Sequence, residues 1–342
     1  FIFFLLFWQN SFAAMNGPTW ETAIRPGADT TRTSSLEGDA LDNDAFQQPS
    51  GIAFSNDGKK VFVTNQFVKN TQECLRTFNL TVPFDLRTAG LVLDEIDPLI
   101  TLVGETINST GSRCEDINFN NDGTKLFLTN QTGNIYQFNL TAPFELSGMT
   151  YEEGSTTSYG ATYRNFSFNN DGTKIFALRI SNNTNSVQEY SLGSPFDISS
   201  NTLLNDYDLD SYERVDGDNF SHTGIEFSAD GTAMFIISTD QTNTKGGGEE
   251  KIIQFKLSSP FDTTSASFLG TFSITMGVGN SGTTGRVMGM AFNNSGSKLY
   301  IVSQYNSIEV LEGGSAADVM HQYSLECSYG LVGCVDLPVS NI

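Results

Sequence analysis

Basic residues are scarce in this chain: 18 lysines and arginines stand against 39 acidic residues over 342 positions, a formal net charge of −21. A surface this negative repels the phosphate backbone of nucleic acids, which excludes nucleic acid as an expected partner. Histidine is scarcer still, because His222 and His321 are the only two. Two histidines are too few for a histidine-rich metal centre, and neither fits a Ser-His-Asp pattern. The sequence therefore predicts no catalytic residue, no metal and no cofactor.

The sequence also lacks a hydrophobic run of membrane-spanning length. The apolar segment FIFFLLFW at residues 1–8 is too short to cross a bilayer. Small residues follow it at Ser11, Ala13 and Ala14, as they do in the cleavage region of a secretory signal. We interpret residues 1–13 as part of a signal peptide, with a buried N-terminal strand as the alternative. The predicted location is secreted, either extracellular or periplasmic.

Cysteine is limited to four positions, and no two of them form the CxxC pair typical of zinc binding or thiol exchange. In the oxidising compartment that a signal peptide implies, these cysteines favour disulfides. Sequons for N-glycosylation are about as frequent as chance predicts, so they permit glycosylation without indicating it. The sequons begin at Asn79, Asn108, Asn130, Asn139, Asn165, Asn182, Asn219 and Asn293.

One motif recurs five times along the chain. Its copies are FSNDGKKVF, FNNDGTKLF, FNNDGTKIF, FSADGTAMF and FNNSGSKLY, beginning at positions 54, 119, 168, 227 and 292. Each has a leading aromatic residue and a second aromatic residue eight positions later. Asp-Gly between two hydrophobic runs indicates a tight β-hairpin, because glycine accepts the positive φ that the turn requires. Each copy therefore predicts two strands.

A second motif follows four of the five copies and predicts two further strands. It reads FNLTVPFDL, FNLTAPFEL, YSLGSPFDI and FKLSSPFDT from positions 78, 138, 190 and 255. Its proline ends the third strand, and the acidic residue after Phe closes the turn into a fourth. Radial stacking of four-stranded units is the β-propeller arrangement, so we predict an all-β fold with five four-stranded blades.

The predicted propeller covers residues 31–326. We expect residues 14–30 to form a lead-in and residues 327–342 to form a truncated tail in which Cys327 and Cys334 pair in a disulfide. The last copy ends after its third strand, so we expect an N-terminal strand at 31–38 to pair beside residues 320–325 and to close the ring.

The repeats FSNDGKKVFVTN and FNNDGTKLFLTN resemble those of the YVTN-type β-propeller family. The segment that follows them resembles propeller repeats of secreted and phage-borne proteins. The resemblance covers about 31–326 and implies the propeller fold. It does not imply one function, because propellers serve as lactonases, dehydrogenase subunits, adhesins and scaffolds.

Loop lengths distinguish the two rims of the predicted propeller. The Asp-Gly turns and the Pro-Phe turns keep constant lengths, which defines one end of the molecule as the Asp-Gly rim. The other connections vary in length and meet at the opposite end, the variable rim. Variable loops on a rigid scaffold are where binding usually occurs.

Scarce basic residues gather at the variable rim, next to the ends of the first and second strands of the blades. The predicted ligand-binding residues are Arg113, Arg164, Arg179, Arg286 and His222, with the amides of Asn65, Gln66, Asn130 and Gln131. They predict a socket for an anionic or hydroxylated ligand. The alternative is a structural ring of salt bridges with Glu115, Asp216 and Asp218.

The repeat also places the cysteines. Cys74 and Cys114 fall near the variable rim of adjacent blades, which predicts a disulfide between them, and Cys327 and Cys334 are expected to form the second pair.

The predicted function is a secreted or cell-surface module, a scaffold that binds a glycan or protein through its variable rim. The alternative is a lactonase-like hydrolase with a metal in the central channel, which requires Asp, Glu and Asn side chains to converge there.

Overall fold

A computed structural model of the chain describes residues 18–24, 48–66, 74–96, 102–104, 114–153, 156–158, 162–180, 185–212, 220–240, 249–275, 286–306, 317–332 and 334. These residues form five antiparallel sheets and three single-turn 3₁₀ helices. The sheets are the blades of a five-bladed β-propeller, which confirms the predicted fold. The first strands of neighbouring blades contact one another around the central channel.

The strands are numbered in chain order. Blade 1 contains β2 (Pro49–Phe54), β3 (Lys60–Asn65), β4 (Leu75–Leu80) and β5 (Ala89–Ile96). Blade 2 contains β6 (Cys114–Phe119), β7 (Lys125–Asn130), β8 (Asn134–Asn139) and two short strands that both pair with β8, β9 (Thr150–Tyr151) and β10 (Thr157–Ser158). Blade 3 contains β11 (Thr162–Phe168), β12 (Lys174–Ile180), β13 (Asn185–Leu192) and β14 (Asn201–Asp208).

Blade 4 contains β15 (Phe220–Phe227), β16 (Ala233–Asp240), β17 (Glu249–Leu257) and β18 (Ala266–Thr275). Blade 5 contains β19 (Arg286–Phe292), β20 (Lys298–Asn306), β21 (Ala317–Ser324) and, from the start of the chain, β1 (Thr19–Ile24). The 3₁₀ helices are Leu86–Thr88, Asp210–Tyr212 and Thr263–Ser265.

Closure of the ring by an N-terminal strand is confirmed, but the strand differs from the predicted one. β1 pairs with β21 from Thr19 opposite Ser324 to Ile24 opposite Met320. The prediction that residues 31–38 occupy this edge is therefore wrong, because the edge of β21 accepts only one partner. Residues 31–38 themselves lie outside the described part of the chain.

The two aromatic residues of the repeat join neighbouring blades. The second aromatic of each blade packs against the leading aromatic of the next, with ring centroids 4.4 to 4.8 Å apart. The pairs are Phe62–Phe119, Phe127–Phe168, Phe176–Phe227, Phe235–Phe292 and, across the closure, Tyr300–Phe54. Since all five second aromatics are fully buried, these contacts form the repeating core of the propeller.

A third aromatic residue covers the glycine of every hairpin turn. The turn glycines have φ between 65° and 71°, and the turn after the third strand of the same blade places an aromatic ring over each of them. A Cβ atom on Gly58, for example, would lie 2.2 Å from the ring of Phe84. The fifth ring is Tyr329, six residues after Tyr323, so the repeat extends into the segment predicted as a tail.

The turns of the Asp-Gly rim are joined by a chain of side-chain hydrogen bonds. The amides of Asn294, Asn56, Asn121 and Asn170 each donate to a backbone carbonyl oxygen of the next turn along the ring. Blade 4 carries Ala229 at this position, which has no side-chain amide to donate. The chain of bonds therefore ends between blades 4 and 5.

Restoring the missing donor with Ala229→Asn is expected to stabilise the fold. The new amide can donate to the carbonyl oxygen of Asn294, as the equivalent side chains do in the other blades. A solvent-exposed hydrogen bond of this kind contributes about 0.5 kcal/mol. Urea denaturation should show the increase, and Asn294→Ala, which removes an existing donor, should show a loss of similar size. A neutral or destabilising Ala229→Asn would contradict this account of the ring.

Candidate functional site

The Cys74–Cys114 disulfide ties two blades together at the variable rim. Cys74 immediately precedes β4 of blade 1 and Cys114 begins β6 of blade 2, with Cα atoms 5.6 Å apart. Both cysteines are fully buried. The predicted pairing of these two cysteines, and that of Cys327 with Cys334, is confirmed. The disulfide fixes the ends of two variable-rim connections relative to each other.

The structure describes only part of the predicted arginine socket. Arg113 and the side chain of Arg164, a residue of β11, lie outside the part of the chain that the structure describes. Arg179 approaches Asp206 of the same blade, with 3.6 Å between Nη1 and Oδ2. Arg286 is partly exposed at the start of β19. A convergence of these arginines on a ligand thus stays a prediction.

One of the amides predicted at the mouth, Gln66, belongs to a hydrogen-bond network that joins three blades. Gln304 of blade 5 donates to Gln66 of blade 1 over 3.1 Å, and Gln66 donates to Glu115 of blade 2. Asn65 accepts a 2.8 Å bond from the backbone N–H of Gln48. Gln304 was missed by the sequence reasoning, although it lies at the same repeat position as Gln66, twelve residues after the leading aromatic.

Asn130 and Gln131 lie at the turn between β7 and β8. The side-chain oxygen of Asn130 accepts bonds from the backbone N–H groups of Thr132 and Asn134, at 3.1 and 2.9 Å. Asn130 is buried and stabilises the turn, whereas Gln131 is partly exposed. Gln131 is therefore the more accessible of the two for a ligand.

Both histidines are buried and electrically neutral near pH 7. Burial lowers the pKa of His222 to about 3 and that of His321 to about 4. His222 Nδ1 lies 3.3 Å from the carbonyl oxygen of Ile237, and His321 Nε2 lies 3.0 Å from Ser303 Oγ. A buried neutral imidazole cannot attract an anion, so His222 contributes packing and not charge at this rim.

The central channel holds a cavity of about 190 Å³, and two acidic residues, Asp116 and Glu226, line it. Asp116 lies three residues before its leading aromatic, and Glu226 lies one residue before its own. Asn118 lines the same cavity and donates to the carbonyl oxygen of Phe166. Sequence reasoning did not select these residues, although their fixed offsets from the leading aromatic place them on the innermost strands.

Asp116 has a structural task in the channel. Its Oδ2 accepts a 3.1 Å bond from the backbone N–H of Phe166, and Asn165 makes the equivalent 2.8 Å bond to the N–H of Ile225. Both side chains thereby satisfy an edge N–H of the next blade. The same repeat position is glycine at Gly51, Gly224 and Gly289. There the next strand or side chain occupies the space, and a Cβ on Gly289 would lie 2.4 Å from the carbonyl oxygen of Ser50.

The two channel acids favour their protonated forms. Burial raises the pKa of Asp116 to about 8, and the nearby Glu115 adds to the increase. Burial also raises the pKa of Glu226 to about 8, with a further contribution from the charge of Asp116. Near neutral pH such a pair can donate hydrogen bonds to a polar ligand or release protons to a cation. In the ranges that the structure describes, no set of three or more His, Cys, Asp or Glu side chains converges on a possible metal position.

Comparisons with known proteins give no family. No protein-family model matches the chain, and no curated protein matches it. A protein of unknown function from Desulfotomaculum acetoxidans is 15% identical, with a TM-score of 0.41, over 76% of this chain and 66% of its own. Kuenenia stuttgartiensis hydrazine synthase is 13% identical, with a TM-score of 0.44, over 78% of this chain and 77% of its own.

A third solved structure, a nidogen/laminin complex, contains a chain that is 11% identical, with a TM-score of 0.43, over 84% of this chain and 86% of its own. At these identities and TM-scores, none of the three proteins bears on the activity of this chain. Across the described residues, no helix is long and apolar enough to cross a membrane.

Proposed function

We propose that the protein is a secreted or cell-surface recognition module that binds a glycan or protein through its variable rim. The observation that carries this proposal is the difference between the two rims. The Asp-Gly rim is built from five near-identical turns, each covered by an aromatic ring. The connections of the variable rim differ from blade to blade in sequence and length, which is the usual arrangement of a binding surface on a rigid scaffold.

Three further features support this assignment. The Cys74–Cys114 disulfide fixes the ends of two variable-rim connections, which lowers the entropy lost when such loops bind a ligand. Disulfides suit an extracellular protein. The repeats resemble YVTN-type propellers, a group that includes secreted proteins.

The ligand is expected to contact the arginines of the variable rim. A glycan array and a pull-down with extracellular proteins identify the ligand, and Arg113→Ala with Arg286→Ala should then weaken binding about tenfold or more, because a hydrogen bond to a charged group contributes about 1.5 to 3 kcal/mol. Lys59→Ala is the matched control, since Lys59 is an exposed cation on the Asp-Gly rim and should leave affinity unchanged.

Two outcomes would contradict this placement of the site. One is unchanged affinity with reduced stability in the arginine variant, which assigns the arginines to a structural salt-bridge ring. The other is an equal loss of affinity in Lys59→Ala, which moves the ligand to the opposite rim or reduces its binding to general charge attraction.

A channel hydrolase is the second candidate, favoured by the convergence of Asp116, Glu226 and Asn118 on one cavity. Two carboxyl groups and amides are fewer ligands than a protein calcium site normally supplies, so a resident metal fits these residues poorly. Elemental analysis of the purified protein, together with assays on lactones and esters, tests this candidate. Absence of both bound metal and turnover would leave the binding module.

A further inference from the structure

The structure divides the N-glycosylation sequons of this chain into two groups. In the first group the asparagine amide is already used by the fold. Asn165 is buried and accepts a 2.8 Å bond from the backbone N–H of Ile225 in the next blade. Asn130 is buried and its Nδ2 donates to the Tyr136 hydroxyl over 3.2 Å, and Nδ2 of Asn293 donates to the hydroxyls of Ser295 and Ser297 over 3.1 and 3.0 Å. An N-glycan is attached to Nδ2, so a glycan at Asn130 or Asn293 would disturb these donor bonds. A glycan at Asn165 would have no room, because this side chain is buried at a contact between two blades.

Asn79 and Asn139 form the second group. Each follows the third-strand aromatic of its blade, in the segments FNLTVPF and FNLTAPF. Each side chain is exposed, and among the described residues neither amide has a hydrogen-bond partner. Alternation along β4 explains the exposure of Asn79, because Phe78 and Leu80 on either side of it point into the core. The two amides are therefore accessible, and the fold does not need them.

The surroundings of Asn79 leave room for a sugar. Asn79 lines an open groove of about 590 Å³ between blades 1 and 2, together with Lys59, Pro143 and Glu145. This groove lies at the Asp-Gly rim, since the backbone N–H of the adjacent Leu80 donates to the carbonyl oxygen of Lys59 in the hairpin turn. Proximal sugars on Asn79 can occupy the groove without moving the backbone.

We propose that Asn79 and Asn139 are the N-glycosylation sites among the described sequons, and that they carry glycans when the chain passes through a secretory pathway with an oligosaccharyl transferase. This inference rests on the secreted location in the proposed function but not on any ligand. Asn108, Asn182 and Asn219 lie outside the described residues and form no part of it. Glycans at Asn79 and Asn139 cover the Asp-Gly rim of blades 1 and 2 and leave the variable rim open.

Secretion of the full chain from a eukaryotic host, behind a signal peptide that the host recognises, tests the proposal. Digestion with peptide N-glycosidase F in ¹⁸O water converts each glycosylated asparagine to ¹⁸O-labelled aspartate, which peptide mass spectrometry locates. We expect the label at Asn79 and Asn139 and none at Asn130, Asn165 or Asn293 in the secreted protein. Chain retained in the cells is examined as well, because glycan transfer precedes export.

Variants that destroy one sequon while keeping its asparagine provide the controls. Thr81→Ala and Thr141→Ala should each remove one glycan from the intact mass. Thr132→Ala, which destroys the sequon of the buried Asn130, should change the mass only by the substitution itself. Absence of the label from Asn79 or Asn139 in both secreted and retained chain would overturn the proposal, and so would a label at Asn130, Asn165 or Asn293 in secreted chain. Failure to find a ligand would not affect these readings, so the two proposals fail separately.

Discussion

Replacing Cys74 and Cys114 together by alanine is expected to lower the free energy of unfolding by about 4 kcal/mol. The disulfide closes a segment with a sequence separation of 40, and its loss returns that conformational freedom to the unfolded chain. Alanine is the suitable replacement because both cysteines are fully buried, where a serine hydroxyl would lack partners. Urea denaturation under non-reducing conditions measures the change.

The second disulfide provides the matched control. Cys327 and Cys334 have a sequence separation of 7, so replacing this pair by alanine should cost only about 2 kcal/mol in the same chain-entropy relation. Equal losses for the two pairs would show that loop closure does not determine their contribution. Ligand affinity adds a second readout, since the Cys74 and Cys114 variant should bind more weakly while the Cys327 and Cys334 variant should not.

The fold was predictable because the repeat contains the residues that join one blade to the next. The spacing of eight between its two aromatics positions both for the contact between neighbouring blades, as Phe62 on Phe119 illustrates. The closing strand was misplaced because the outermost strand of a blade faces solvent. An outermost strand needs no recognisable sequence motif, and TWETAI at 19–24 has none. The distance to the first repeat was therefore the only guide, and it did not distinguish this segment from residues 31–38.

Tyr329 was missed for a different reason. The fifth Pro-Phe turn has lost its proline and reads CSYG, yet its ring lies over Gly296 as the other four rings lie over their glycines. The spacing of six from Tyr323 was the remaining signal. The turn therefore keeps the aromatic residue and its positive φ, which is 56° at Tyr329, and it forms without the proline.

The candidate site was less predictable than the fold. The sequence selected polar residues beside strand ends, but it could not show that Gln66 bonds to blades 2 and 5, that Asn65 bonds to Gln48 within blade 1, or that His222 is buried. Asp116 and Glu226 escaped notice because their interest arises from burial inside the channel. Their burial depends on the packing of the first strands of five blades around the central axis. The sequence of any one strand does not show this packing.

Replacing Gly123 by alanine is expected to destabilise the fold by about 3 kcal/mol or more, for two separable reasons. Gly123 has a φ of +70°, a conformation that costs an L-residue about 1 kcal/mol. Its new Cβ atom would also lie 2.2 Å from Cε2 of Phe144, a ring that packs against Phe119 and belongs to the core. Relief of this overlap requires the ring to leave its contact with Phe119 or the backbone of the hairpin to shift, and either movement costs packing.

Gly104 separates the two contributions, because its φ is +79° and no atom of a described residue lies within 4 Å of the Cβ it would carry. Gly104→Ala should therefore cost only the backbone term, about 1 kcal/mol, and the excess for Gly123→Ala measures the clash. A double variant tests the assignment to Phe144: with Phe144→Ala already present, adding Gly123→Ala should cost no more than Gly104→Ala does. If Gly123→Ala alone costs as little as Gly104→Ala, the aromatic ring does not clamp the turn, and the constant length of these turns needs another explanation.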